Sequence, residues 1–162
     1  MRAKSHDEIG KIHDSLTTVK RLSDGIIRIG PINVIGLDGI LSWIPIPGVV
    51  DAFSILTGAF ILWQAVRARA DISTLIATLI VLLIDGGLGF SEIIPFVGII
   101  GSAADTLFQG QLYACHMIQK NIEKTLYVAG SAAEAHRSGE HQQNLAEMRD
   151  TKGKTRVVYL GG

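Results

Sequence analysis

Apolar residues in the first part of the chain recur at Ile9, Ile12, Leu16, Val19, Leu22 and Ile26, at spacings of three and four. That period places one narrow apolar stripe on an otherwise polar helix over residues 6–24. Ser5-His6-Asp7-Glu8 has the S-x-x-E form of a capping box, in which each side chain accepts from a free backbone N–H. The stripe needs a second surface to bury it. That surface is the rest of its own protein, a lipid interface, or a partner helix, for which Ile9, Ile12, Leu16 and Val19 are the anchors.

From Ile26 to Ile118 apolar residues are denser but come in pieces. Residues 39–50 are uncharged and interrupted by Pro45 and Pro47, and residues 93–104 contain Pro95, Gly98 and Gly101. Between them lie AFSILTGAFILWQAV (52–66) and ISTLIATLIVLLI (72–84), the second with Asp71 placed as its N-cap. A bilayer-spanning helix needs about 20 mostly apolar residues. Taken as 48–67 and 72–90, the two segments approach that length, and the short Ala68-Arg69-Ala70-Asp71 connection forces an antiparallel hairpin. Farther on, Ala104, Leu107, Phe108, Leu112, Cys115, Ile118, Ile122 and Leu126 form one stripe, largely opposite Asp105, Gln109, His116, Lys120 and Glu123. Residues 102–128 therefore read as a single amphipathic helix. After Gly130 the chain is polar. Residues 155–160 have strand character without a partner strand in view, so Val157 and Tyr159 are candidates for contact with a partner.

The expected fold is thus all-α: a membrane helical hairpin with Pro/Gly-broken segments, flanked by amphipathic helices and a polar tail. Its divisions are an N-terminal helical arm (1–30), a membrane core (31–128) and a polar, partly extended C-terminal tail (129–162). Charge follows the same divisions. The net charge is zero, but residues 31–114 hold six acids and two arginines, while the first 30 residues hold six Lys/Arg and residues 115–162 hold seven. Lone Cys115 excludes an intrachain disulfide, and the polar N-terminus carries no cleavable signal peptide. The cations near the apolar core, Lys20, Arg21, Arg28, Lys120 and Lys124, outnumber Arg67 and Arg69 of the hairpin turn. The positive-inside bias then predicts a multi-pass protein of the inner membrane, with both termini cytoplasmic and the turn outside.

The core carries an internal repeat, over 36–66 and 83–128. Asp38-Gly39 is followed by Ile44-Pro45-x-x-Gly48, and Asp85-Gly86 by Ile94-Pro95-x-x-Gly98. Asp-Gly favours a turn, and proline near a helix start forfeits a hydrogen bond that would be unpaired anyway. The first copy, Gly36-Leu-Asp-Gly-Ile-Leu-Ser-Trp-Ile-Pro-Ile-Pro-Gly48-Val-Val-Asp51, resembles the start of the uncharacterised bacterial family called domain of unknown function 4112. The resemblance covers residues 34–126 and implies a membrane protein of unknown activity. The second copy departs from the family's pattern: Gly98-Ile99-Ile100-Gly101 intervenes, the acid arrives at Asp105, and Gln109 and Gln111 replace basic and amide residues.

No nucleophile motif, phosphate-binding loop or metal-ligand spacing is present in the sequence, and the cations do not form the aromatic-interleaved patch of a nucleic-acid binder. Neither an enzyme, a cofactor nor a metal is therefore expected. The core acids Asp38, Asp51, Asp85, Glu92 and Asp105 sit in or beside apolar segments, where a charge is costly. They read either as turn and cap residues or as a polar site for protons or cations. The expected function is that of a non-enzymatic accessory or scaffold subunit of a larger membrane complex, partnered by lipid and by other subunits or itself. Alternatives are a small channel, transporter or holin-like homo-oligomer using those acids, and a peripheral lipid-binding bundle.

Overall fold

A computed structural model describes residues 2–23, 27–29, 32–35, 49–85 and 110–161, with side chains undescribed at 23, 27–29, 32–35, 49–54 and 85. Four helices, α1 (His6–Ser23), α2 (Val49–Arg67), α3 (Ile72–Asp85) and α4 (Gly110–Glu123), pack with alternating direction. A short antiparallel pair, β1 (Ile27–Ile29) and β2 (Ile32–Ile35), follows α1. After α4 come β3 (Thr125–Val128), α5 (Ala132–Ser138), α6 (Glu140–Asp150) and β4 (Arg156–Tyr159).

Helix α1 starts where expected. Ser5 Oγ accepts from the Glu8 amide at 3.3 Å, and the Glu8 carboxylate accepts from the Lys4 amide at 2.8 Å, a capping box displaced by one residue. Its stripe is spent inside the chain. Ile9, Ile12 and Leu16 are buried in one core with Ile61 and Ala65 of α2 and Ala114, Cys115, Ile118 and Ile122 of α4, and Val19 packs against it. Burying a leucine such as Leu16 contributes roughly 1.5–3 kcal/mol. The small side chains Ala65, Ala114 and Cys115 let the helices approach closely enough to exclude water. These four residues thus face the chain's own bundle, and the surface offered to a partner helix is already occupied.

Amides set the register. The buried Gln119 side chain of α4 donates to His13 O at 3.3 Å and to Thr17 Oγ1 at 2.8 Å. Gln64 of α2 donates to Ser15 Oγ at 2.7 Å. A slip of either helix would leave a buried amide without a partner, at a cost of about 1–3 kcal/mol.

Helix α4 ends at Glu123, and Thr125–Val128 is a strand, so the single helix over 102–128 does not hold in its last turn. Thr125, Tyr127 and Val128 suit a strand once an extended partner exists. The C-terminal segment supplies it: β4 pairs parallel to β3, with Tyr127 opposite Val158 and Val128 opposite Tyr159. The expected loose tail is therefore a folded cap. Tyr159 is buried, its hydroxyl 2.9 Å from His141 Nδ1 and accepting from Asn144 at 3.1 Å. Val157 sits half-buried opposite Leu126. Both strand residues proposed as partner contacts are used internally. Gly139, at φ 82°, breaks α5 from α6 in a conformation most residues avoid.

The protein is mostly helical, with two short sheets that an all-α reading omits. Helix α3 is described through Asp85, and residues 86–90 of the expected span lie outside the described residues. At 14 residues it is about 21 Å long, against about 30 Å of bilayer hydrocarbon. Among the described residues no helix is long and apolar enough to cross a membrane. The separation of turn from termini is also corrected. Ala3 N donates to Arg67 O at 2.9 Å, and the Arg69 guanidinium donates to Tyr159 O and, at 2.8 Å, to Leu160 O. The turn and both arms of the chain meet at one end.

Candidate functional site

That shared end carries a polar node built on Asp71. As N-cap of α3 its Oδ2 accepts from Thr74 N at 3.4 Å and from Ser73 Oγ, and its Oδ1 accepts from Thr74 Oγ1 at 2.6 Å and from Asn121 of α4. Burial raises the carboxyl's pKa, but the hydroxyls of Ser73 and Thr74 and the Thr74 amide outweigh it and bring it from 3.8 down to about 2. Arg156 of β4 stands behind the node, Nη1 3.6 Å from Asp71 Oδ1 and Nη2 donating to Arg69 O at 2.7 Å.

The node forms one wall of an open groove of about 610 Å³ between the start of α3, the end of α4 and the approach to β4. Ser73, Thr74 and Ala77 line it from α3, Met117, Lys120 and Lys124 from the region of α4, and Thr155 and Arg156 from the cap. Three cations face one carboxylate, and that carboxylate is already held by four donors. Lys120 and Lys124, one turn apart, make no side-chain hydrogen bond or ion pair to any described residue. The groove is suited to an anion.

The backbone around it is locked. Arg69 adopts φ 54°, a left-handed conformation costly for a side-chain-bearing residue, while its guanidinium is tied to the cap. Tyr127 Oη donates to Ala68 O at 2.7 Å in a buried setting. Burial pushes that phenol up to about 12, against the pull of Arg156, the Thr125 hydroxyl and Arg69. The fully buried Cys115 thiol of the helical core is pushed up to about 12 by burial, only partly offset by Lys20. Among the described residues no three of His, Cys, Asp and Glu come together to hold a metal ion.

Of the acids singled out by sequence, the two whose backbone is described, Asp51 and Asp85, lie away from this groove. Asp38, Glu92 and Asp105 lie outside the described residues. Asp51 falls in the first turn of α2 and Asp85 is the last residue of α3, so both backbones lie at the end opposite Asp71, with their side chains undescribed. The groove itself escaped sequence reasoning. Asp71 was legible as an N-cap, but Asn121, Lys124 and Arg156 are brought to it only by tertiary packing.

A second feature is the outer surface of the hairpin. Of the large apolar side chains exposed among the described residues, all but Leu22 and Tyr113 belong to α2 or α3. Ile55, Leu56, Trp63 and Val66 fall within about 100° of arc on α2, and Ile72, Ile76, Leu79, Ile80 and Ile84 within about 140° on α3. Trp63 stands at the turn end of its stripe, with the Arg67 guanidinium 4.7 Å from its ring.

No curated protein and no solved structure matches the chain. A family profile, described as domain of unknown function (DUF4112), matches residues 12–122. The match runs from Ile12 in the core of α1 to Ile122 in the last turn of α4, so it takes in the hairpin and the Asp71 node and leaves the β3–β4 cap outside. Covering well over half of the 162 residues, it shows that the chain belongs to the domain of unknown function 4112 family.

Proposed function

We propose that this chain is a small membrane protein, its α2–α3 hairpin lying against acyl chains and its turn end facing water, and that it serves as a non-enzymatic accessory subunit of a larger membrane assembly. The observation that carries the membrane reading is the pair of exposed apolar stripes on adjacent helices. A water-facing monomer rarely leaves so large a contiguous apolar patch uncovered. Charge placement supports the same orientation. With the turn and both arms at one end, Arg67, Arg69, Lys120, Lys124 and Arg156 cease to oppose one another and share one side, which the positive-inside bias makes cytoplasmic. Trp63 with Arg67 beside it suits the level of the headgroups.

The accessory role rests on the cap. Helix α6 has no buried residue and presents a polar outer face, a surface for a protein partner. Fractionation tests the first half: the chain should stay with membranes through alkaline carbonate and leave with detergent, and in a Trp43→Phe background the Trp63 fluorescence should be quenched by lipids brominated on their acyl chains. Recovery in the supernatant without detergent, with Trp63 unquenched, would defeat it. Affinity purification in mild detergent tests the second: stoichiometric partners lost on charge reversal along α6 support a subunit, and a homo-oligomer alone does not.

A further inference from the structure

We infer that the groove at the hairpin turn is a binding site for a phosphate ester, seated between Lys120 and Lys124, and that the ester is the headgroup of an anionic phospholipid. The inference rests on the membrane reading above. Ser73 and Ala77, on the α3 side of the groove, belong to a helix row that continues at Ile80 and Ile84. On the opposite side, Met117 and Lys120 of α4 and Lys124 just past its end fall in one row. Helices α3 and α4 pack against each other in opposite directions, with Asn121 near the end of α4 beside Asp71 at the start of α3, so the α3 row leads away from the cationic groove. Ile80 is 50 % exposed and Ile84 55 %, so the continuation of the α3 row is apolar and exposed. The trough is cationic at the water end and apolar beyond it, the polarity of a phospholipid. From Ser73 to Ile84 the rise is about 16 Å, close to the half-thickness of about 15 Å that one acyl chain fills. A soluble phosphate would use the cations and leave the apolar continuation without a role.

Asp71 does not disqualify the groove. Its oxygens are turned into donors from Ser73, Thr74 and Asn121 with Arg156 at 3.6 Å, which leaves the two lysines as the charge presented to a ligand. The phosphate would lie between Lys120 and Lys124 with the Thr155 hydroxyl on the cap side, and the small Ala77 would leave room for the first methylenes.

The test uses the full chain in mild detergent, with native mass spectrometry counting retained lipid when phosphatidylglycerol and phosphatidylcholine are supplied equally. Phosphatidylglycerol should be retained in preference by roughly tenfold, the scale set by two cations acting on one anionic headgroup. Lys120→Gln with Lys124→Gln should bring that preference close to one. The charge-matched Arg149→Gln with Lys152→Gln, on exposed positions away from the groove, should leave it unchanged, and circular dichroism checks that all variants fold. Ala77→Phe should reduce retention of both lipids by filling the trough. An undiminished preference in the Lys120/Lys124 variant, or an equal loss in the charge-matched one, overturns the groove. Displacement by millimolar inorganic phosphate as complete as by phosphatidylglycerol overturns the lipid assignment in favour of a soluble phosphate. Quenching of Trp63 by brominated lipid keeps the two readings apart. If it persists while no headgroup preference appears, only the groove fails; if it is absent, the membrane reading fails as well.

Discussion

The turn end of the hairpin and the helix shafts leading away from it are built by opposite means. The turn end, where α2 passes into α3, is fastened by named polar contacts: Asp71 to Thr74 and Asn121, Arg69 to the Tyr159 and Leu160 carbonyls, Tyr127 to Ala68, Ala3 to Arg67. The shafts of α2 and α3 leading away from it expose aliphatic side chains that no described residue covers. Polar locks are specific but individually modest, and they tolerate water at their edges. An uncovered apolar face is tolerated only where something other than water meets it. The fold therefore separates a region that defines its own geometry from one whose apolar face the described residues leave exposed.

Substitutions at six positions, one deletion and one chemical probe sharpen that contrast. The largest effect belongs to the core shared by both regions: Leu16→Ala or Ile118→Ala should cost about 2–5 kcal/mol in denaturant unfolding, because both side chains are fully buried between helices. Removal of α1 should for the same reason unfold the bundle, where a mere docking arm would only release a partner.

Arg69→Ala should cost about 2–3 kcal/mol and loosen the cap first, seen as faster amide exchange in β4 than in α4. Equal acceleration in both would show that cap and bundle open as one unit. Tyr127→Phe should cost about 1–2 kcal/mol by stranding the Ala68 carbonyl. The native phenol also carries a pH signature. Its folded pKa is raised from 10 to about 12, so its contribution is complete below pH 10 and is lost as pH rises through 12, a loss the Phe variant should not show.

Asp71→Ala should cost about 1 kcal/mol as a lost cap, whereas Asn keeps the cap and loses the charge. The Asp71 pKa is lowered from 3.8 to about 2, so its contribution is complete above pH 3.8 and disappears as pH falls through 2. A parent chain whose stability stays flat over that window would contradict the hydrogen-bonded carboxylate. The smallest effect on folding belongs to the exposed face. Ile76→Glu, on a residue 53 % exposed, should change unfolding in detergent by less than about 0.5 kcal/mol, yet weaken recovery with membranes. Cys115 supplies the probe: a water-soluble thiol reagent should modify it only after denaturation.

Local chemistry was legible in the sequence wherever one residue acts on its near neighbours. The capping box at Ser5, the N-cap at Asp71 and the periodic stripe of α1 all take their meaning within one or two turns of chain, and all three stand. What the stripe packs against was not legible, because a helix period reports a face and not its partner. The parallel pairing of β3 with β4 was missed for a related reason. Thr125–Val128 continues the apolar rhythm of α4, and only the return of residues 156–159 across two intervening helices turns it into a strand. The apolar run after Asp71 is helical through Asp85, as its hydropathy suggested, and residues 86–90 of the expected span lie outside the described residues.

The bonds from Arg69 to the last strand join residues 90 and 91 positions apart. During synthesis, at about 5–20 residues per second, roughly 5–20 s separate the arrival of that arginine from the arrival of its acceptors. Through that interval the hairpin exists without its fastening, and its aliphatic shafts are free to choose their surroundings before the cap closes on the turn. The parts that define their own geometry are thus completed after the parts that depend on their environment, so the protein commits to where it sits before it commits to how its polar end is finished.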